Sequence, residues 1–214
     1  GLGEGEVEGA LKPETSQLVE GGVKSVFWRG RLSLEAGAFL MDFNNLVVAT
    51  TVGGVPGLTN AGQQRYKGFE ASGHLVLPHH MALRANASYH DARFRDYVAE
   101  FDGVPTQLAG KRIEMSPHAL AAMGLSYTPP TGLLASVETQ FVGSRYLNKR
   151  NSALADGYRT VGGSIGYAFG KWDLRVVAAN LTDTRPPVSE SELGDAQYYL
   201  LPSRHIDVLF SVHY

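Results

Sequence analysis

Apolar and polar residues alternate with period two along almost the whole chain after residue 15, and helical periodicity is hard to find. The alternation predicts nine strands, at about residues 16–26, 31–43, 64–76, 81–94, 116–127, 132–146, 158–169, 172–181 and 203–214. In the fourth, Leu83, Ala85, Ala87 and Tyr89 alternate with Arg84, Asn86, Ser88 and His90. In the seventh, Val161, Gly163, Ile165 and Tyr167 alternate with Thr160, Gly162, Ser164 and Gly166. In the last, Ile206, Val208, Phe210, Val212 and Tyr214 alternate with His205, Asp207, Leu209, Ser211 and His213. A membrane-spanning strand reads this way, and so does a half-buried strand of a soluble sandwich.

The connections separate the two. Trp28-Arg29-Gly30, Pro78-His79-His80, Thr128-Pro129-Pro130-Thr131 and Gly170-Lys171 are short. The last is the Gly-X pattern of a two-residue hairpin turn. The other connections, 44–63, 95–115, 147–157 and 182–202, are several times longer. Short and long connections alternate, so one rim of the sheet is trimmed and the other elaborated. Transmembrane barrels have that asymmetry, with short periplasmic turns and long extracellular loops. Trp28, Tyr127, Phe169 and Trp172 flank the short turns, while Tyr89, Phe94, Phe141, Tyr146 and Tyr158 sit toward the long ones. Two aromatic belts are expected at the two membrane–water interfaces; the aromatic ends of a sandwich core are the alternative.

Composition narrows the chemistry. Glycine is 25 of 214 residues, a surplus that fits tight turns, and charged residues are only 19%. Lys+Arg is 19 against 21 Asp+Glu, a balance without the basic stripe of a nucleic-acid binder. There is no cysteine, so disulfides, thiol nucleophiles and cysteine metal sites are excluded. No apolar run is long enough for a transmembrane helix, and no export leader is visible. No G-x-S-x-G, HExxH, Walker or GxGxxG pattern occurs, so neither an enzyme nor a cofactor is expected. His79-His80 follows Pro78 in a short turn and reads as turn chemistry rather than a metal pair. Strand residues opposite the apolar side, including Glu20, Lys24, Glu70, His74, Arg84, Asn86, Glu138, Gln140 and Arg175, would line a wet or plugged lumen.

Several short motifs then point to one family. Leu11-Lys12-Pro13-Glu14-Thr15-Ser16 precedes Glu20-Gly21-Gly22-Val23-Lys24, and Asn60 precedes Gly68-Phe69-Glu70. Asn86-Ala87-Ser88-Tyr89, Pro117 with Leu125-Ser126-Tyr127, Asn180-Leu181-Thr182-Asp183 and Pro202-Ser203-Arg204 follow. In order and spacing over residues 11–214 the set resembles the barrel of TonB-dependent receptors, the plugged outer-membrane barrels that import iron chelates and similar scarce solutes. The pattern Ile206, Val208, Phe210, Val212, Tyr214 resembles the C-terminal signal read by the barrel-insertion machinery.

That resemblance implies an all-β antiparallel transmembrane meander in the outer membrane of a Gram-negative bacterium. It implies that residues 1–214 are the C-terminal part of a larger, 22-stranded barrel without the plug domain. The partners it implies are outer-membrane lipid, the TonB energy-transducing complex acting through an N-terminal part, and a ferric siderophore or other iron chelate as solute. A passive porin or adhesin-type barrel and a soluble sandwich binding module are the alternatives. Ferric chelates are often anionic, so the cationic and aromatic loop residues Arg93, Arg95, Arg145, Tyr146, Lys149 and Arg150 are the candidate ligand contacts. Solvated loop charges, or cations against outer-leaflet lipid, are the plainer reading of the same residues.

Overall fold

The computed structural model describes residues 11–52, 55–101, 103–190 and 197–212. Nine strands form one sheet: β1 (Thr15–Phe27), β2 (Leu32–Val52), β3 (Val55–Leu77), β4 (Met81–Asp96), β5 (Ala119–Tyr127), β6 (Gly132–Val142), β7 (Tyr158–Phe169), β8 (Trp172–Ala179) and β9 (His205–Val212). Their order across the sheet is their order in the chain, and every adjacent pair is antiparallel. The expected meander is therefore present, without a crossing connection. The described residues contain no α-helix, and Trp28–Gly30 is a tight turn whose three residues all have positive φ.

Cross-strand partners in an antiparallel ladder point to the same face, so the register sorts every side chain. One row runs Val23, Ala36, Ala71, Ala87, Ala121. A second runs Leu125, Val137, Gly163, Ala178, Ile206, and a third Ala135, Ile165, Val176, Val208. These rows share one face, which carries no charge along each strand from the short turns as far as Leu40 on β2, Phe69 on β3 and Tyr89 on β4; Lys67, Asp91 and Arg159 on the same face lie further from the turns. From Leu32 to Leu40 the band measures roughly 27 Å along the strand at ~3.4 Å per residue, the order of the ~25 Å apolar band of an outer-membrane wall. Its side chains stand open, with Val208 68% exposed and Ile165 58%. A soluble sandwich would bury that face; here nothing among the described residues covers it. No described helix is long and apolar enough to cross a membrane.

Glu20, Glu35, Glu70, Arg84, Glu138, Gln140, Arg175 and Asp207 lie on the opposite face, as the alternation predicts. Glu138 has Gly124 and Gly162 as its two cross-strand neighbours. A Cβ on Gly162 would lie 3.3 Å from Glu138 Oε1, so the glycine leaves room for the carboxylate to lie flat against the sheet.

The long connections contain more structure than the alternation shows. The predicted connection 44–63 is mostly strand, because β2 and β3 continue as a paired hairpin to Val52 and Val55. The predicted strand end survives as a kink. Asn45 (φ 59°) and Gly62 (φ 51°) face each other in the left-handed region at that level. A Cβ on Gly62 would fall 1.4 Å from the Asp96 carbonyl oxygen, so only glycine fits there. Connection 95–115 folds into the hairpin Val98–Phe101/Val104–Gln107, and 182–202 into Pro187–Glu190/Tyr198–Leu200. The sixth strand ends at Val142 rather than 146; Arg145–Tyr146 instead pairs with Leu154–Ala155. The buried core of the described residues, Phe94, Tyr97 and Leu108 with Ala99, Phe101 and Ile113 against it, sits at this rim.

Three aromatic expectations need correction. Tyr89 and Phe141 lie on the apolar face as a belt requires, but Phe94 is 3% exposed in the rim core and Tyr158 faces the polar side. Tyr146 belongs to the rim hairpin. Alternation gave the strands correctly but not which way the chain turns after it leaves the belt.

Candidate functional site

The polar face and the long-connection rim above it hold the charged side chains that could meet a solute. On the face, Lys24 pairs with Glu35 at 3.1 Å and Arg175 with Asp173 at 2.8 Å, while Ser136 and Ser164 share a hydrogen bond of 2.8 Å. A hollow of about 760 Å³ is lined by Glu20, Lys24, Glu35, Glu70, Ser72 and Asn86, all on that face. A smaller one of about 210 Å³ lies between Glu138, Gln140, Asn180, Pro202 and His205. The face is therefore hollowed, polar and of mixed charge. Among the described residues no group of histidine and carboxylate ligands is placed to hold a metal ion.

The motif residues fasten the loops to this wall. Asn60 Nδ2 donates to the carbonyls of Lys12 (2.9 Å) and Asn45 (2.7 Å), and its Oδ1 accepts from Lys12 N–H at 2.7 Å. Val47 N–H donates to Glu14 Oε1 at 2.7 Å. The segment before β1 is thereby clipped onto β2 and β3. Asn180, 8% exposed, does the same for the last long connection. Its Nδ2 donates to the carbonyls of Thr184 (2.9 Å) and Pro202 (2.8 Å), and its Oδ1 accepts from Thr184 N–H and the Thr182 hydroxyl. Asp183 Oδ1 accepts from Arg204 N–H at 2.9 Å. The motif Asn180–Asp183 thus ties both ends of the connection together. Asn180 also sits at φ 48°, which asparagine tolerates better than alanine. Asn180→Ala should lower stability by about 1–3 kcal/mol, because its part-buried hydrogen bonds to the Thr184 and Pro202 carbonyls are lost. Limited proteolysis within 182–202 would show it as faster cleavage; unchanged cleavage would show that the clamp is dispensable.

The candidate ligand contacts divide into three settings. Arg93 shares the outward row with Arg65, ion-paired to Asp91 at 2.8 Å and donating to the Gly110 carbonyl at 2.8 Å. At the same level, above the apolar band, Arg65 donates to Asp42 at 2.6 Å and holds that carboxyl below the usual carboxylate range. Arg95 is exposed near Asp42, in the bulge where β4 shifts register against β3.

Arg145 is 3% exposed; its Nη2 donates to the Pro187 carbonyl and its guanidinium lies 5.4 Å from the Tyr158 ring centre. Its Nη1 is buried without a hydrogen-bond partner. Tyr146 accepts from Met115 N–H at 2.8 Å through its carbonyl. Lys149 lies 5.7 Å from the Tyr97 ring and 3.9 Å from Glu114, and Arg150 lies 4.2 Å from the Phe101 ring. The loop cations thus lock connection 143–157 onto connection 95–115. Asn151 completes that lock, accepting from Arg112 N–H at 2.7 Å and donating to the Arg112 carbonyl at 2.8 Å. Of the assembly-signal residues, Ile206, Val208, Phe210 and Val212 line the apolar face, with Phe210 stacked on Trp172 at 5.1 Å. Tyr214 lies outside the described residues.

Residues 3–181 match the family model described as TonB dependent receptor-like, beta-barrel. Solved structures share the fold at low identity. The ferric yersiniabactin uptake receptor FyuA of Yersinia pestis aligns with TM-score 0.75 at 18% identity, over 93% of this chain and 30% of that one. The siderophore receptor PiuA of Acinetobacter baumannii gives 0.73 at 21%, over 91% and 28%. The copper transporter OprC gives 0.71 at 14%, over 95% and 32%. The chain spans about 30% of the length of these relatives.

Proposed function

We propose, starting from the fact that this chain belongs to the TonB-dependent receptor-like β-barrel family, that it forms the wall and rim loops of a receptor importing an iron chelate. The family is one of outer-membrane transporters of Gram-negative bacteria and not of enzymes. The observation that carries the reading is the division of one sheet into an outward face with a charge-free apolar band and a charged, hollowed inward face, with loops built on one rim alone. A wall of that kind separates lipid from a polar passage. Several of the similar structures are named for ferric siderophores, and one for copper, so a metal-loaded solute is the shared class.

In this reading Arg95, Lys149 and Arg150 are the rim cations that meet an anionic chelate, and Tyr146 is an aromatic contact beside them. Arg145 positions the rim by joining connection 143–157 to Pro187. Arg93 stands on the outward side of the same loop base. Energy would come through TonB by way of a plug-bearing part of the full natural chain. Uptake of a panel of radiolabelled ferric chelates tests it, in cells carrying or lacking the full natural chain, with TonB present or absent. Uptake that needs both is expected. Passage that persists without TonB would favour a passive pore.

A further inference from the structure

The trimmed rim carries a charge pattern that solute import does not use. Its four connections contain Arg29, Arg31, His79, His80 and Lys171 and no aspartate or glutamate. All five side chains are exposed, and no ion pair engages them among the described residues. Four of the five are grouped. Val76 N–H donates to the Arg31 carbonyl at 2.7 Å, which sets the first turn beside the end of β3 and so beside Pro78–His80.

The backbone gives a second, independent observation. Trp28 (φ 51°), Arg29 (57°), His79 (58°) and His80 (59°) all adopt the left-handed region that favours Gly and Asn. Elsewhere the described non-glycine residues in that region are Asn45, Met115, Asn151, Asn180 and Asp183, four of them Asn or Asp. On the trimmed rim alone the chain tolerates the strain with an arginine and an indole, beside two histidines that suit that region. Strain held against the easier residue points to a use for those side chains.

Their depth says which use. The turns begin directly beyond Phe27, Leu32, Leu77 and Met81, the last residues of the apolar band, and Trp28 is 67% exposed there. One to three residues beyond the band is at most about 10 Å, against a headgroup layer of roughly 5–7 Å on each side of the hydrocarbon. The cations are therefore at headgroup level and not far out in solvent. We propose that this rim binds the phosphate groups of anionic phospholipid in the leaflet it faces, through Arg29 and Arg31, with His79 and His80 as further donors and Trp28 seated among the acyl ends. The inference rests on the membrane-spanning reading and not on the identity of the solute.

The test uses the full natural chain, purified from outer membranes in neutral detergent and titrated with dispersed phosphatidylglycerol or phosphatidylcholine of equal acyl length. Native mass spectrometry reads the bound lipid. Phosphatidylglycerol is expected to bind at least ten-fold more tightly. Arg29→Asn with Arg31→Gln should weaken it by about five-fold per arginine, of the order of twenty-five-fold, and leave phosphatidylcholine unchanged. Asn suits the left-handed backbone at position 29, so the variant should keep its heat-modifiable barrel, and Arg29→Lys with Arg31→Lys should keep the lipid. Equal binding of the two lipids, or full binding by the Asn/Gln variant, would overturn the proposal. Competition by glycerol phosphate at the same concentration would assign the rim to a soluble anion, and stronger competition by polyglutamate would assign it to an acidic protein; either overturns it. A chain that stays monomeric without detergent would instead overturn the membrane reading beneath it.

Discussion

Arginine in place of Val176 should reduce the equilibrium population of folded chain between about thirty-fold and several hundred-fold, whereas arginine in place of Val177 should change it little. The two residues are adjacent on β8 and equally apolar, so composition and strand propensity cancel between the variants. What differs is the face. Val176 stands between Ile165 and Val208 in the charge-free band, and Val177 between Ser164 and Asp207. A guanidinium near the middle of the lipid face costs about 2–4 kcal/mol, at about 1.4 kcal/mol for each factor of ten. On the polar face the same group meets water and the Asp207 carboxylate. Urea titration of vesicle-inserted protein, followed by tryptophan emission, measures both. Equal costs for the two variants would mean that the register, or the lipid assignment of the face, is wrong.

The sheet was legible because its physics is periodic. A strand half in lipid must alternate, and nothing in the connections interrupts the alternation from β4 to β9. The registers that place Glu138 and Val137 on opposite faces need only the period and the two glycines beside Glu138. Where the chain leaves the lipid the period loses its cause. The β2–β3 hairpin continues past Asn45 and Gly62 with side chains that no longer need to alternate, and it reads in the sequence as a loop. The same loss of constraint hid the short hairpin at Val98–Gln107, whose hydrophobic residues serve a small core at the rim and not the belt.

The candidate site was legible in residue type but not in role. Positive charge near tyrosine in a long connection suggests an anion. It also describes Lys149 over Tyr97 and Arg150 over Phe101, contacts made across two connections between residues about fifty apart in sequence. No local pattern announces such a pairing. The asparagines were the opposite case. Asn60 and Asn180 stood out within family motifs, but their work, satisfying backbone carbonyls of segments distant in sequence, appears only when Lys12 and Pro202 are seen beside them. An asparagine at a strand end followed by Thr-Asp is a usable signal for such a clamp, since side-chain amides carry both donor and acceptor.

Serine in place of Phe210 and Val212 together should cut the yield of assembled barrel sharply while leaving uptake per assembled molecule intact. Both side chains lie on the lipid face, Phe210 against Trp172 and opposite Leu174, Val212 opposite Trp172. Each large apolar group placed in hydrocarbon contributes about 1.5–3 kcal/mol, so the pair removes roughly 3–6 kcal/mol from one strand. That strand is bonded to β8 on one side, and among the described residues its other edge is free. An unpaired edge in lipid leaves its backbone groups without partners, so anything that loosens β9 exposes β8 as well. The intervening residues make the control. Leu209→Ser and Asp207→Ser act on the polar face, across from Arg175 and Val177, and should leave assembly near normal. Heat-modifiable barrel in outer-membrane fractions measures assembly, and uptake is then divided by that amount. Normal barrel yield with uptake abolished in the Phe210/Val212 variant would mean that this strand serves transport directly, and the argument from its lipid face and edge would fall.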